Sequence, residues 1–143
     1  MTRGDVQARV RSILAGSLLE ITRRADDWLP GDVSYVIVDA VTERGETYVQ
    51  LLADPAQDGV LCEVSSGVWS PEQASPDASG ARALSELGFE LRPGGNYGRV
   101  VSIRVARDAT NLARELIDLL HDALGYRGDS ALTLRVQHAR AAR

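Results

Sequence analysis

The sequence predicts one α+β domain: an antiparallel sheet of about five strands, flanked by N-terminal and C-terminal helices, with a short helix in the middle. Three observations carry this reading. Long stretches near both ends place apolar residues at spacings of three and four, the period of an amphipathic helix. Between them lie alternating or β-branched runs whose connections are too short for a parallel crossover, which needs a dozen residues or more. Finally, 143 residues with 44% hydrophobic content can bury a core without a disulfide or a metal.

The first helix is expected from Asp5 to about Ala25, where Val6, Val10, Ile13, Leu14, Ser17, Leu18, Ile21 and Ala25 form one stripe. Asp5 stands near the positive helix end, where an acid is favourable. Pro30-Gly31 stops the run, with Trp28 and Leu29 folding under it. Ser34–Thr42, SYVIVDAVT, is the richest β-branched run and makes the first strand. A polar turn, Glu43-Arg44-Gly45-Glu46, leads into the stretch from Thr47 to Trp69, which reads as the middle of a meander. There Val49, Leu51 and Ala53 share one face and Tyr48, Gln50 and Leu52 the other, because strand side chains alternate. After the turn at Asp54–Gly59, Val60, Cys62 and Val64 alternate with Leu61, Glu63 and Ser65.

Ser66–Gly80, rich in Ser, Pro, Gly and Ala, reads as a loop that carries Trp69. Ala81–Leu87 forms a short helix ended by Gly88. Phe89 and Leu91 begin an extended piece broken at Pro93-Gly94-Gly95, and Tyr97–Val105 makes another strand. The last helix is expected over Ala109–Gly125, with Asp108 as its N-cap. Its buried stripe is Leu112, Leu116, Leu119, Leu120, Ala123 and Leu124. Leu132, Leu134 and Val136 then alternate with Thr133, Arg135 and Gln137 in a short final strand, and the chain frays from His138. The expected core runs from about 5 to 136 of a single domain, 1–143.

Composition narrows the function. The net charge of −4, with acids and arginines interspersed, argues against a nucleic-acid binder, which needs a basic face to displace phosphate counterions. The start, MTRGDVQARVRSILAG, has no long apolar run and is broken by Arg9 and Arg11, so no secretory signal is expected, and the apolar runs elsewhere in the chain are far too short for a membrane span. Cys62 is the only cysteine, which excludes an internal disulfide and is consistent with a reducing, cytoplasmic setting. All sixteen basic residues are arginine, a bias expected of a GC-rich genome.

No stretch carries a reactive constellation. The two imidazoles, His121 and His138, fall in the last helix and the tail, with no G-x-S-x-G motif to supply a nucleophile. Cys62 reads as a small buried strand residue, with no histidine near it in sequence. Metal-ligand spacings and phosphate-cradling glycine loops do not occur, so no metal, cofactor or catalytic residue is expected. The aromatic residues at strand ends and loops, Tyr48, Trp69, Phe89 and Tyr97, read either as core side chains or, where partly exposed, as a peptide or protein contact.

The element order together with YVQ (48–50), EVSS (63–66), LGF (87–89), NYGRV (96–100) and LGY (124–126) resembles a bacterial group. The chain is similar to the YbjN and type III secretion chaperone-like proteins, the TY-Chap domains, and especially to actinobacterial ones. The resemblance implies a compact α+β fold without enzymatic activity. It implies a homodimer that holds an extended segment of a secreted or regulatory protein. Tyr48, Gln50, Glu63, Trp69 and Tyr97 are the motif positions expected at a protein-binding surface. The alternative is a small-molecule sensor or regulatory domain with an apolar pocket between helix and sheet.

Overall fold

The computed structural model describes residues 3–22, 31–53, 59–67, 75–92, 95–128 and 132–139, with side chains from residue 8 onward. Among the described residues three helices and six strands follow in the order α1 (Arg3–Thr22), β1 (Val33–Thr42), β2 (Gly45–Ala53), β3 (Val60–Val64), α2 (Ala78–Glu86), β4 (Glu90–Leu91), β5 (Tyr97–Val101), α3 (Ala106–Asp122) and β6 (Thr133–Ala139). The strands form one sheet in the order β4-β5-β3-β2-β1-β6, and each neighbouring pair is antiparallel. The meander β1-β2-β3 is the one expected from its short turns. The sheet has one strand more than the expected five or so, because Glu90–Leu91 pairs with Tyr97 and Gly98.

Alternation along the strands divides the sheet into two faces. Val36, Val38 and Ala40 of β1 lie beside Val49, Leu51 and Ala53 of β2 and Val60, Cys62 and Val64 of β3, all of them buried. Leu14, Leu18 and Ile21 of α1 join the same core, as do Leu112, Leu116, Ile117 and Leu120 of α3. Both long helices therefore pack on one face, and they pack on each other as well. An ion pair between Arg11 and Asp118, 2.9 Å apart, ties their outer sides.

Several expected details differ. Ile13 is 53% exposed, so the buried stripe of α1 runs through Val10, Leu14, Leu18 and Ile21 and passes it by. The helix α2 begins at Ala78, three residues before the expected start, because the Asp77 carboxylate accepts the Gly80 amide at 2.7 Å. Likewise α3 begins at Ala106 and not after Asp108. Asp108 sits inside the first turn, and its Oδ2 accepts the backbone amides of Arg104 (2.9 Å) and Val105 (3.1 Å). That early start shortens β5, which ends at Val101 instead of Val105.

At the other end β6 runs on to Ala139, and the Ser34 hydroxyl meets His138 Nδ1 at 2.7 Å. The expected tail thus contributes its first two residues to the sheet, because β1 supplies partners for them. Trp28, Leu29, Trp69 and residues 54–58 lie outside the described residues.

Gly80 fixes how closely the two C-terminal helices approach. A Cβ built there would stand 2.2 Å from the carbonyl oxygen of Ala123, at the end of α3. Only a residue without a side chain admits that approach.

Candidate functional site

The second face of the sheet carries no helix among the described residues. Register places its side chains in rows across the strands. One row reads Gln137, Tyr35, Leu52, Leu61 and Val100, from β6 through β1, β2 and β3 to β5. The next reads Arg135, Ile37, Gln50, Glu63 and Gly98. A third begins with Thr133, Asp39 and Tyr48. The first row is apolar across four adjacent strands, about 14 Å at the usual strand spacing. Tyr35, Leu52 and Leu61 are each partly exposed, and Val100 is 54% exposed.

Three of the five nominated residues meet on this face. Gln50 and Glu63 are cross-strand partners, with Gln50 Nε2 at 3.5 Å from Glu63 Oε1, the outer limit of a hydrogen bond. Glu63 has no ion pair among the described residues. Its carboxylate keeps most of its acceptor capacity for an incoming donor. Asp39, by contrast, is held by Arg135 Nε at 2.9 Å. Tyr48 lies one row away, its hydroxyl accepting a hydrogen bond from Asn96 Nδ2 at 2.8 Å.

Tyr97 is placed elsewhere. It pairs with Val64 and packs against the core on the helix-covered face, so it does not join Tyr48. The strand alternation that sends Val64 inward sends its partner inward too. Trp69, the fifth nominated residue, lies outside the described residues.

Asn96 organises this region and was not among the expected site residues. It is buried, and besides donating to Tyr48 it accepts the Ser66 amide on Oδ1 at 3.1 Å. The Ser66 hydroxyl in turn donates to the Gly95 carbonyl at 3.0 Å. The segments YVQ, EVSS and NY are thereby knotted at one end of the meander. The signal for Asn96 was present in its place at the head of NYGRV, directly before a nominated tyrosine.

On the covered face, Arg99 lies opposite Cys62 and joins three elements. Its guanidinium makes a two-pronged contact with the Glu115 carboxylate of α3, with Nη2 to Oε2 at 3.2 Å. The same group donates to the Leu87 carbonyl at 2.8 Å and stands 5.4 Å from the centre of the Phe89 ring. The hydrogen bond it donates to Glu115 pushes the Arg99 pKa further up. Cys62 is wholly buried, and burial above all pushes its thiol up to about 12. A thiol so placed stays protonated and inert at neutral pH.

A cavity of about 500 Å³ opens on the outside of the helical layer, between α2 and α3. Its walls come from those two helices and their ends, and no strand contributes to it. No group of three or more metal-binding side chains occurs among the described residues. No described helix is long and apolar enough to cross a membrane.

A family model matches residues 7–138, described as the T3SS (YopN, CesT) and YbjN peptide-binding chaperone 3, TY-Chap3. The chain belongs to this family. No curated protein and no solved structure matches it. Membership agrees with the resemblance carried by YVQ, EVSS, LGF and NYGRV, and the family is described as one of peptide-binding chaperones. In this TY-Chap3 chain the YVQ and EVSS positions Tyr48, Gln50 and Glu63 share the helix-free face, whereas LGF directs Phe89 into the core.

Proposed function

We propose that this TY-Chap3 domain is a non-catalytic chaperone that receives an extended segment of a secreted or regulatory protein on its helix-free sheet face. The observation that carries the reading is the apolar row Tyr35–Leu52–Leu61–Val100 beside the polar pair Gln50–Glu63. Extended segments present side chains alternately, which suits a row of partly exposed apolar side chains next to a hydrogen-bonding row. Glu63 would take a donor from the bound segment, Gln50 would orient it, and Tyr48 would border the site. Trp69 and Tyr97 are not needed for the reading. The buried, unreactive Cys62 fits a reducing cytoplasm.

Panning a displayed library of extended peptides on the intact chain tests this. Selected peptides should bind wild-type protein and lose at least tenfold in affinity on Leu61→Arg, with the melting temperature little changed. Undiminished binding to that variant would remove the sheet face from the proposal. A homodimer belongs to the same proposal, on the family's account. Light scattering should give about twice the 15.4 kDa chain mass, and a monomer mass would refute that part.

A further inference from the structure

We propose that the groove between α2 and α3 is a second docking site, which takes a basic amphipathic helix of the bound protein partner. It rests on the peptide-binding reading but uses a different surface, on the opposite side of the sheet. The groove follows α3 from Asn111 to Ala123, about 18 Å of helix at 1.5 Å per residue. Along that length α3 turns Arg114, Asp118 and Asp122 outward, and all three are exposed. Beneath them lie Leu119 and Ala123, both buried at 2% exposure. From the other wall α2 adds Ala83 and the exposed Glu86, and Leu87, just past its end, is left 39% exposed. The site is therefore a groove between two helices whose accessible apolar surface comes from Ala83 and Leu87, closed at one end by the Gly80–Ala123 contact and rimmed by four carboxylates and Arg114.

Charge decides which helix fits. Four carboxylates and one arginine line the groove. Glu115 is tied to Arg99 and Asp118 to Arg11. Glu86, Asp122 and Arg114 have no ion pair among the described residues, so the unpaired charges of the groove leave one negative charge in excess. These two carboxylates flank apolar Leu87 and Ala123, so they favour an incoming chain that sets aliphatic anchors between cations. A helix presents that pattern at i, i+3 and i+4, and a groove between two helices is a usual seat for one. An acidic helix would meet the same rim with like charges and be rejected.

The test uses a synthetic helical peptide of about twelve residues, the length that spans ~18 Å. One version carries leucines along one face and arginines on the other. A second has the same composition in scrambled order, and a third has glutamates in place of arginines. Titration calorimetry on the full chain should show binding of the first peptide only. Glu86→Gln together with Asp122→Gln should weaken it at least tenfold, and so should added salt, while Leu61→Arg leaves it unchanged. Equal affinity for the scrambled peptide would reduce the effect to non-specific charge attraction and overturn the proposal. Equal affinity of the double variant would overturn it as well. Loss of binding on Leu61→Arg would return the helix to the sheet face, whereas failure of the displayed peptides at that face leaves this result standing.

Discussion

Cys62 shows how one residue's chemistry follows from its place. It faces the helices from the last strand of the meander and has no exposed surface. Burial raises its pKa from about 9 to about 12, Glu115 and Glu63 add to the rise, and the Arg99 charge opposes it. The native thiol thus holds its proton where the unfolded thiol releases it. Its contribution to stability is intact below about pH 9 and declines as pH rises from there toward 12, because the unfolded state then binds fewer protons. Two outcomes follow. A disulfide reagent at neutral pH should modify no thiol in the native protein and one after denaturation. Cys62→Val should flatten the alkaline limb of the stability curve, and fast labelling of native protein would contradict the burial. Cys62 was legible as a buried strand residue from its neighbours alone. Arg99 was not, since its partners Glu115 and the Leu87 carbonyl come from separate elements that no local pattern links.

At the scale of elements, helix starts were the part least legible in the sequence. Apolar periodicity located all three helices, but capping decided where two of them begin. Asp77 and Asp108 are both acids near a helix start, yet one caps from outside and the other reaches back from within the first turn. Hydrogen bonds from Arg104 and Val105 hold the Asp108 carboxyl below its ordinary pKa. A lowered pKa stabilises above the unfolded value and is lost as pH falls through the folded one. Asp108→Asn should therefore destabilise α3 at neutral pH and lose that difference in acid, as pH-dependent melting would reveal.

Gly80 offers a sharper contest between two effects. Helix propensity alone favours alanine over glycine by about 1 kcal/mol. The added Cβ would clash with the Ala123 carbonyl at 2.2 Å, and overpacking of that kind costs roughly 1–3 kcal/mol. The clash should win, because the obstacle is backbone at the end of a packed helix. Gly80→Ala is expected to lower the melting temperature, while Ser79→Ala, on the exposed side, leaves it almost unchanged. A stabilised Gly80→Ala would mean that α2 does not approach α3 so closely.

For the whole molecule, the division of labour between two sheet faces was legible in the alternation of β1, β2 and β3. Which polar face residues would meet was not, because register depends on turns and partner strands. Tyr48, Gln50 and Glu63 converge, whereas alternation from Val64 carries Tyr97 to the other side. The neighbours Leu51 and Leu52 turn that division into a measurement. Leu51 is fully buried under the helices, and Leu52 stands partly exposed in the apolar row opposite. Leu51→Ala should cost about 2–5 kcal/mol through lost burial and the cavity left behind. Leu52→Ala should cost about 1 kcal/mol or less, since its side chain is already partly in water. Peptide affinity should move the other way, falling with Leu52→Ala and holding with Leu51→Ala at temperatures where that variant stays folded. Chemical denaturation and peptide titration of the two variants together read the result. Equal stability losses would mean that both faces are buried, and the helix-free face would then be closed to a peptide.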